Sequence, residues 1–159
     1  MTRQVYLAGP DVFFPNALEH AEYIRERVRQ AGFIPLTPMD NELPVESEGT
    51  AMRALIFANN MELIHKADFV IANLTPFRGP SADAGTVWEV GCAYGLGKPV
   101  WGYSDTHTEY CSRVREDGMS IEDFGGFDNL MITESIHSPL HTSLDDALHA
   151  ALLAFGGNH

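Results

Sequence analysis

Positive charge is scarce in this chain: 10 Lys and Arg stand against 22 Asp and Glu, for a formal charge of −12. Duplex nucleic acid and anionic membrane surfaces both need basic residues to neutralise their phosphates, so both are disfavoured as partners. A small neutral ligand is not. Cysteine is scarcer still. Cys92 and Cys111 are too few for a disulfide framework, and Cys92, in an apolar helical stretch, reads as a core thiol. No window approaches the ~18 consecutive apolar residues of a membrane span, and the opening MTRQVYLAGP has no signal-peptide run. A cytoplasmic location is the expectation.

Several chemical signatures are missing too. The turn after the first apolar run, GPDVFFP, has no G-x-G-x-x-G, so a dinucleotide fingerprint is absent. GCAYGLGK (91–98) lacks the spacing of a phosphate-binding loop, and its Lys98 is followed by Pro99. No G-x-S-x-G marks a serine nucleophile. His137 and His141 are four apart, but Pro139 between them prevents a shared helical face, so no zinc site is expected. Neither a metal nor a cofactor is called for.

What remains is an ordinary globular composition, 45% apolar and 20% charged, at a length that fits one domain and buries roughly 70% of its unfolded surface. Short apolar runs at 4–9, 33–38, 68–74 and 99–103 read as strands, with 129–135 as a short fifth. The run DFVIANL (68–74) is continuous enough for a parallel strand covered on both faces. Helical spacing predicts helices over 16–31 (capped by Asn16, stopped by Gly32), 51–66, 86–96 and 143–155, the last with Ser143 as N-cap and Asp146 at the capping-box position. The acidic stretch 39–50 reads as an exposed loop, and 104–128 as a long polar region. Alternating strands and helices imply an α/β fold: a single-domain, flavodoxin-like or Rossmann-like sandwich over a mostly parallel five-stranded sheet. Ligands in such folds bind beyond the carboxyl ends of the strands, where the loops after Gly9, Thr37 and Thr75 meet.

One stretch near that crevice, DAGTVWEVG (83–91), places Asp83 before a helix and Glu89 inside it. Two readings stay open. Asp83 caps the helix and Glu89 is a favourable charge near the N-terminus, or the two form a catalytic carboxylate pair of the kind that cleaves glycosidic bonds. In the second reading the helix dipole helps keep Glu89 ionised, as a nucleophile must be. Tyr6, at the end of the first strand, is either a packed aromatic or a phenol that orients Glu89. Asn59 and Asn60 are poor helix formers in mid-helix, which suggests a hydrogen-bonding task. Phe13 and Phe14 either wall a pocket or anchor their loop. Arg78 reaches a ligand or pairs with an acidic neighbour.

Taken together, VYLAGPDVF, PMDNE, ADFVIANLTPFRGPSADAGTVWEVGCAYGLGKPV and FDNLMI resemble the nucleoside 2-deoxyribosyltransferases over residues 5 to about 133. The resemblance implies a flavodoxin-like fold and cofactor-free transfer of a 2-deoxyribosyl group between nucleobases through a covalent sugar–enzyme intermediate, with water as a slow substitute acceptor. It implies Glu89 as nucleophile, Asp83 as the carboxylate that serves the base, and Tyr6 as the hydrogen-bond partner of Glu89. Gly9, Phe13, Asp40, Asn60, Arg78 and Gly85 fall among the substrate-binding positions. Asn60 stands where several members carry an aspartate. Asn129, with Met131 nearby, matches an asparagine that reaches the sugar 5′-hydroxyl from a neighbouring subunit, so a homo-oligomer with a shared site is implied. The partners are nucleosides and nucleobases. A related branch hydrolyses 5′-monophosphates using a Gly/Arg-rich first loop and a Ser at the Asn129 position; neither is present here. The same fold could also serve a hydrolase with negligible transfer, or a sensor that binds nucleosides without catalysis.

Overall fold

The computed structural model describes residues 2–40, 49–137 and 139–156. Four parallel strands, β1 (Gln4–Ala8), β2 (Ile34–Leu36), β3 (Phe69–Asn73) and β4 (Val100–Tyr103), form one sheet in the order β2-β1-β3-β4. The helices are α1 (Ala17–Gln30), α2 (Gly49–Lys66), α3 (Ala84–Gly95), α4 (Tyr110–Arg113), α5 (Leu130–Thr133) and α6 (Leu144–Gly156). The fold is therefore the expected α/β sandwich, with one strand fewer than expected.

The missing strand has a local cause. The apolar run at 129–135 predicts an extended segment, but the Asn129 side chain accepts a hydrogen bond from the Met131 amide at 3.0 Å and starts α5. A short side chain that satisfies a backbone donor two residues on favours a helix start over a ladder. Asn16 departs in the opposite sense. It precedes α1 but makes no side-chain cap bond, while Gly32, at φ 86°, does end the helix in the left-handed region. Part of the expected 39–50 loop is a 3-10 turn over Pro38–Asp40; its residues 41–48 lie outside the described residues. The α6 cap holds: Ser143 Oγ accepts from the Asp146 amide at 3.2 Å and donates to its carboxylate at 2.8 Å.

Side chains alternate across a strand, and here the alternation sorts them into two cores. Val5, Leu7, Phe69, Ile71 and Trp101 pack with α1 and α6 through Ile24, Val28, Ala147, Leu148 and Ala151. Tyr6, Ala8, Val70, Ala72, Leu74 and Val100 face the other way, toward Ile64 of α2 and Val90 and Ala93 of α3. All five residues of β3 are buried, as its continuous apolar run requires. The strand order reverses between β1 and β3, so the crevice of the fold opens above the Gly9 turn and the loop that follows Asn73. The period-2 pattern of β1 thus sends Tyr6 to the α2–α3 side of the sheet, beneath one flank of that crevice.

Candidate active site

Tyr6 is fully buried in β1. Its hydroxyl donates to Glu89 Oε1 at 2.7 Å, across 83 residues of sequence. Glu89 shares an α3 face with the buried Thr86, Val90 and Ala93, so the helical repeat that packs α3 on the sheet also turns this carboxyl inward. Because α3 begins at Ala84, Glu89 lies in its second turn, where the dipole field has largely decayed. The expectation that the dipole keeps Glu89 ionised is therefore corrected. Burial is the largest influence and pushes the carboxyl up from 4.5 to about 7; the Tyr6 hydrogen bond opposes this, and the charge of Asp83 adds to it. The Tyr6 phenol is held well above its ordinary range by burial and by Glu89, so it stays a donor.

Asp83 takes the capping role of the DAGTVWEVG motif. Its Oδ2 accepts from the Thr86 amide at 3.0 Å and from Thr86 Oγ1 at 3.1 Å, which caps α3. Its Oδ1 has no protein partner among the described residues, and its charge is near enough to act on Glu89. Gly85 follows. A Cβ there would stand 3.1 Å from Asp83 Oδ2, so glycine keeps the carboxylate uncrowded.

A cleft of about 400 Å³ between α2 and α3 is lined by Glu89, Gly85, Asn60, Arg53, Phe57 and Trp88, with Ile56, Met61 and Ile64 completing its wall. Three of the expected residues, Glu89, Gly85 and Asn60, meet there. Phe57 and Trp88 form a T-shaped pair at 5.4 Å; neither stands out in the sequence, because aromatic residues at helical spacing look like ordinary core. On the crevice side, Phe13 stacks on Phe77 at 5.5 Å, and the Arg78 guanidinium lies 5.1 Å from the Phe13 ring centre and 4.7 Å from that of Phe77. Arg78 thus packs on aromatic faces and forms no ion pair among the described residues, and it adopts φ 55°, the left-handed region. Gly9 sits in a close approach: a Cβ there would meet Asp11 Oδ2 at 2.3 Å and Asn73 Cβ at 3.0 Å.

Asp40, Asn129 and Met131 lie elsewhere in the chain. Asp40 accepts from Arg25 Nε at 3.0 Å and from the Thr37 amide at 2.6 Å, which ties the Pro38–Asp40 turn to α1. Asn129 caps α5 and donates to Glu122 at 2.7 Å, and Met131 is exposed. Neither Asn129 nor Met131 lines the Glu89 cleft of its own chain.

Asp128, the residue before Asn129, escapes a reading of the sequence alone. It is buried; its carboxylate accepts from Ser81 Oγ, from the Ala82 amide at 2.8 Å and from the Asn129 amide at 2.7 Å. It therefore fastens the loop that delivers Asp83. Arg113 assists, donating to the carbonyls of Pro80 at 2.9 Å, Phe127 at 2.5 Å and Thr108, so part of the 104–128 region is held against the same loop. Glu109, Cys111 and Asp123 also gather there, within 4.8 Å of one another at the surface. The signal that marks Asp128 in the sequence is an acidic residue in FDNLM, and acidic residues read as solvated by default.

A buried carboxyl gripped by a phenol, with a second carboxylate capping the same helix beside a half-apolar cleft, is an arrangement suited to attack on a sugar and service of its leaving group. Similarity to known proteins agrees with that class. The chain belongs to the nucleoside 2-deoxyribosyltransferase family, whose description matches residues 5–131. It is similar to a 2-deoxyribosyltransferase from Leishmania mexicana, at 30% identity over 94% of this chain and 97% of that one, with a TM-score of 0.79. It is similar as well to the 2-deoxyribosyltransferase of Bacillus psychrosaccharolyticus, at 31% identity over 94% and 95% of the two chains, TM-score 0.66. An uncharacterized protein of Schizosaccharomyces pombe is 35% identical over 114 residues, 70% of this chain; the match spans only about half, 54%, of that relative's length.

Proposed function

We propose that this protein transfers a 2-deoxyribosyl group between nucleobases through a covalent bond from Glu89 to C1′ of the sugar. The observation that carries the reading is the 2.7 Å contact between Tyr6 Oη and Glu89 Oε1, because it leaves Glu89 Oε2 free of that bond while holding the carboxyl in one rotamer. Cleavage of an N-glycosidic bond passes through an oxocarbenium-like state. Glu89, ionised, stabilises that charge and then captures C1′. Asp83 Oδ1 hydrogen-bonds or protonates the departing base, and the incoming base displaces Glu89 from the face the first one left, so configuration is retained. A 2′-hydroxyl crowds this step and withdraws electrons from the oxocarbenium, so 2′-deoxyribosides are the substrates. Water in place of the acceptor gives slow hydrolysis.

Gly9, Phe13, Asn60, Arg78 and Gly85 form or border the substrate pocket in this reading, with Asp40 at its outer edge. Asn129 and Met131 enter from a second copy of the chain. That copy would also cover the apolar rim left by Phe57 and Trp88, which are 55% and 51% exposed. A mixing experiment tests the shared site: Glu89→Ala and Asn129→Ala proteins, each feeble alone, recover part of the activity when their subunits are exchanged. No recovery argues for a pocket complete within one chain.

The direct test is chromatography of a mixture containing several 2′-deoxynucleosides and one free base. A new nucleoside carrying the added base supports transfer. Release of base without a new nucleoside leaves only hydrolysis, and saturable binding without release leaves a sensor. Including a 2′-deoxynucleoside 5′-monophosphate separates a nucleotide-cleaving enzyme from both.

Tyr6→Phe has a signed consequence. The Tyr6 hydrogen bond lowers the Glu89 pKa, so its loss moves the acid limb of the kcat/KM profile to higher pH. A hydrogen bond to a charged group is worth about 1.5–3 kcal/mol, or roughly one to two pH units. An unmoved limb would show that the titrating group is not Glu89.

A further inference from the structure

We propose that a second cavity, on the α1–α6 side of the sheet, binds a small organic ammonium ion through Asp11, Asp105 and the hydroxyl of Tyr103. The cavity holds about 530 Å³ and shares no lining residue with the Glu89 cleft, and that volume is within the range of small-molecule sites. It lies beyond the carboxyl ends of β3 and β4, where Asn73 and Tyr103 end their strands. Phe77, stacked on Phe13, forms part of this cavity's wall.

The wall has a distinct chemistry. Asp11, Asp105 and Asp145 supply three carboxylates. Asp145 is already held by Arg27 through two bonds of 2.9 and 2.6 Å. Asp11 spends one oxygen, Oδ1, on Asn73 Nδ2 and His20 Nε2, both at 3.1 Å, and keeps Oδ2 without a partner among the described residues. Asp105 receives Thr106 Oγ1 at 2.9 Å and otherwise faces the opening. Two features of the wall favour an anion, and both are answered within the protein. His20 is bound to Asp11, and the start of α6 faces the first-turn carboxylates of Asp145 and Asp146.

Tyr103 points to a ligand. Its ring packs against the α1–α6 core, and burial, with the charge of Asp11, holds its phenol well above the ordinary range. Its hydroxyl has no hydrogen-bond partner among the described residues and stays accessible from the cavity that Tyr103 lines. A ligand N–H donor entering this cavity meets a wall that carries the Tyr103 phenol and the Asp11 and Asp105 carboxylates. Phe14, Tyr23 and Phe77 supply aromatic faces on which a cation or a ring rests favourably. Acceptor oxygens plus aromatic walls, in a chain of charge −12, select a donor-rich cation over a neutral or anionic molecule.

The experiment is an NMR titration of the full ¹⁵N-labelled chain at neutral pH and low salt with three probes of one shape: benzylammonium, benzyl alcohol and benzoate. Benzylammonium is expected to bind with a Kd of about 1 mM, typical for so small a ligand, and to shift amides of residues 10–14, 73–77 and 103–105. The alcohol and the acid bind at least about tenfold more weakly. Tyr103→Phe removes a hydroxyl that no protein group uses, so Tm holds within about 2 °C while benzylammonium binding falls about tenfold when it is combined with Asp105→Asn. Glu89→Ala leaves binding unchanged, which separates this site from the catalytic proposal. Equal affinity for the neutral or acidic probe, shifts confined to the α2–α3 cleft, undiminished binding in the double variant, or no shifts up to about 20 mM would each overturn the assignment.

Discussion

Glu89→Gln lowers base exchange by at least about 10³-fold, the scale seen when a nucleophile is removed from a site whose other groups remain, and it makes the protein more stable. The second half of that expectation follows from the raised carboxyl. Burial lifts Glu89 from 4.5 to about 7, so between those values the folded chain binds a proton that the unfolded chain has released. Stability then falls as pH rises through this window, and above pH 7 the full penalty stands, about 3 kcal/mol for a shift of this size. Glutamine keeps the shape and an oxygen for Tyr6 but carries no charge to bury. The variant is expected to gain about 5–10 °C in Tm at pH 8 and to lose that gain near pH 4.5, where Glu89 is protonated in the folded parent. Thermal unfolding at the two pH values, alongside the exchange assay, checks both halves. A variant that loses activity without gaining stability at pH 8 would mean that Glu89 is solvated and that its raised pKa is not a property of the folded chain. This is the trade expected of a group kept for chemistry at a cost to the fold.

Asp128→Ala is the second large effect, and its sign is reversed. The substitution leaves the Ser81 hydroxyl and the Ala82 and Asn129 amides without their acceptor in a buried place. Unsatisfied buried donors cost about 1–3 kcal/mol each, so a loss of about 3–5 kcal/mol is expected, allowing for partial relaxation. Chemical denaturation measures it as a lower midpoint at unchanged slope. In the protein that stays folded, kcat falls more than KM rises, because the loop bearing Asp83 is no longer fixed while the Glu89 cleft is intact. Asp128→Asn keeps one acceptor oxygen, enough for one of the two amides, and is expected to recover part of both. If Asp128→Ala lost stability but retained the parent kcat, the loop would be positioned by other contacts, Arg113 foremost.

The strands were legible because an apolar run between turn residues has few competing forms: β1, β3 and β4 are where VYLA, FVIAN and VWGY predict them. The period of two in β1 even sorts Tyr6 from Val5 and Leu7. Residues 129–135 mislead because a four-residue apolar segment, LMIT, carries no usable period, and the capping side chain of Asn129 decides its form. The pairing of Tyr6 with Glu89 joins positions 83 residues apart, so no local pattern encodes it; the family resemblance suggests it and the sheet topology supplies the geometry. The cap at Asp83 was legible in the motif, and it occupies only one of the two carboxylate oxygens. Asp128 and Arg113 stay hidden because charged residues read as solvated until burial and partners are known. The charge on Asp40, for its part, is legible, but its engagement with Arg25 is not.

The central claim is a covalent bond between Glu89 and the anomeric carbon. A 2-deoxy-2-fluoro sugar on a good leaving group slows both formation and breakdown of an oxocarbenium-like state, and breakdown the more when no acceptor base is present, so the adduct persists. Intact mass followed by peptide mapping is predicted to place one fluorodeoxyribosyl group per chain on Glu89, with release on adding a free base. Label on any other side chain, or none after base has been released, would contradict the account.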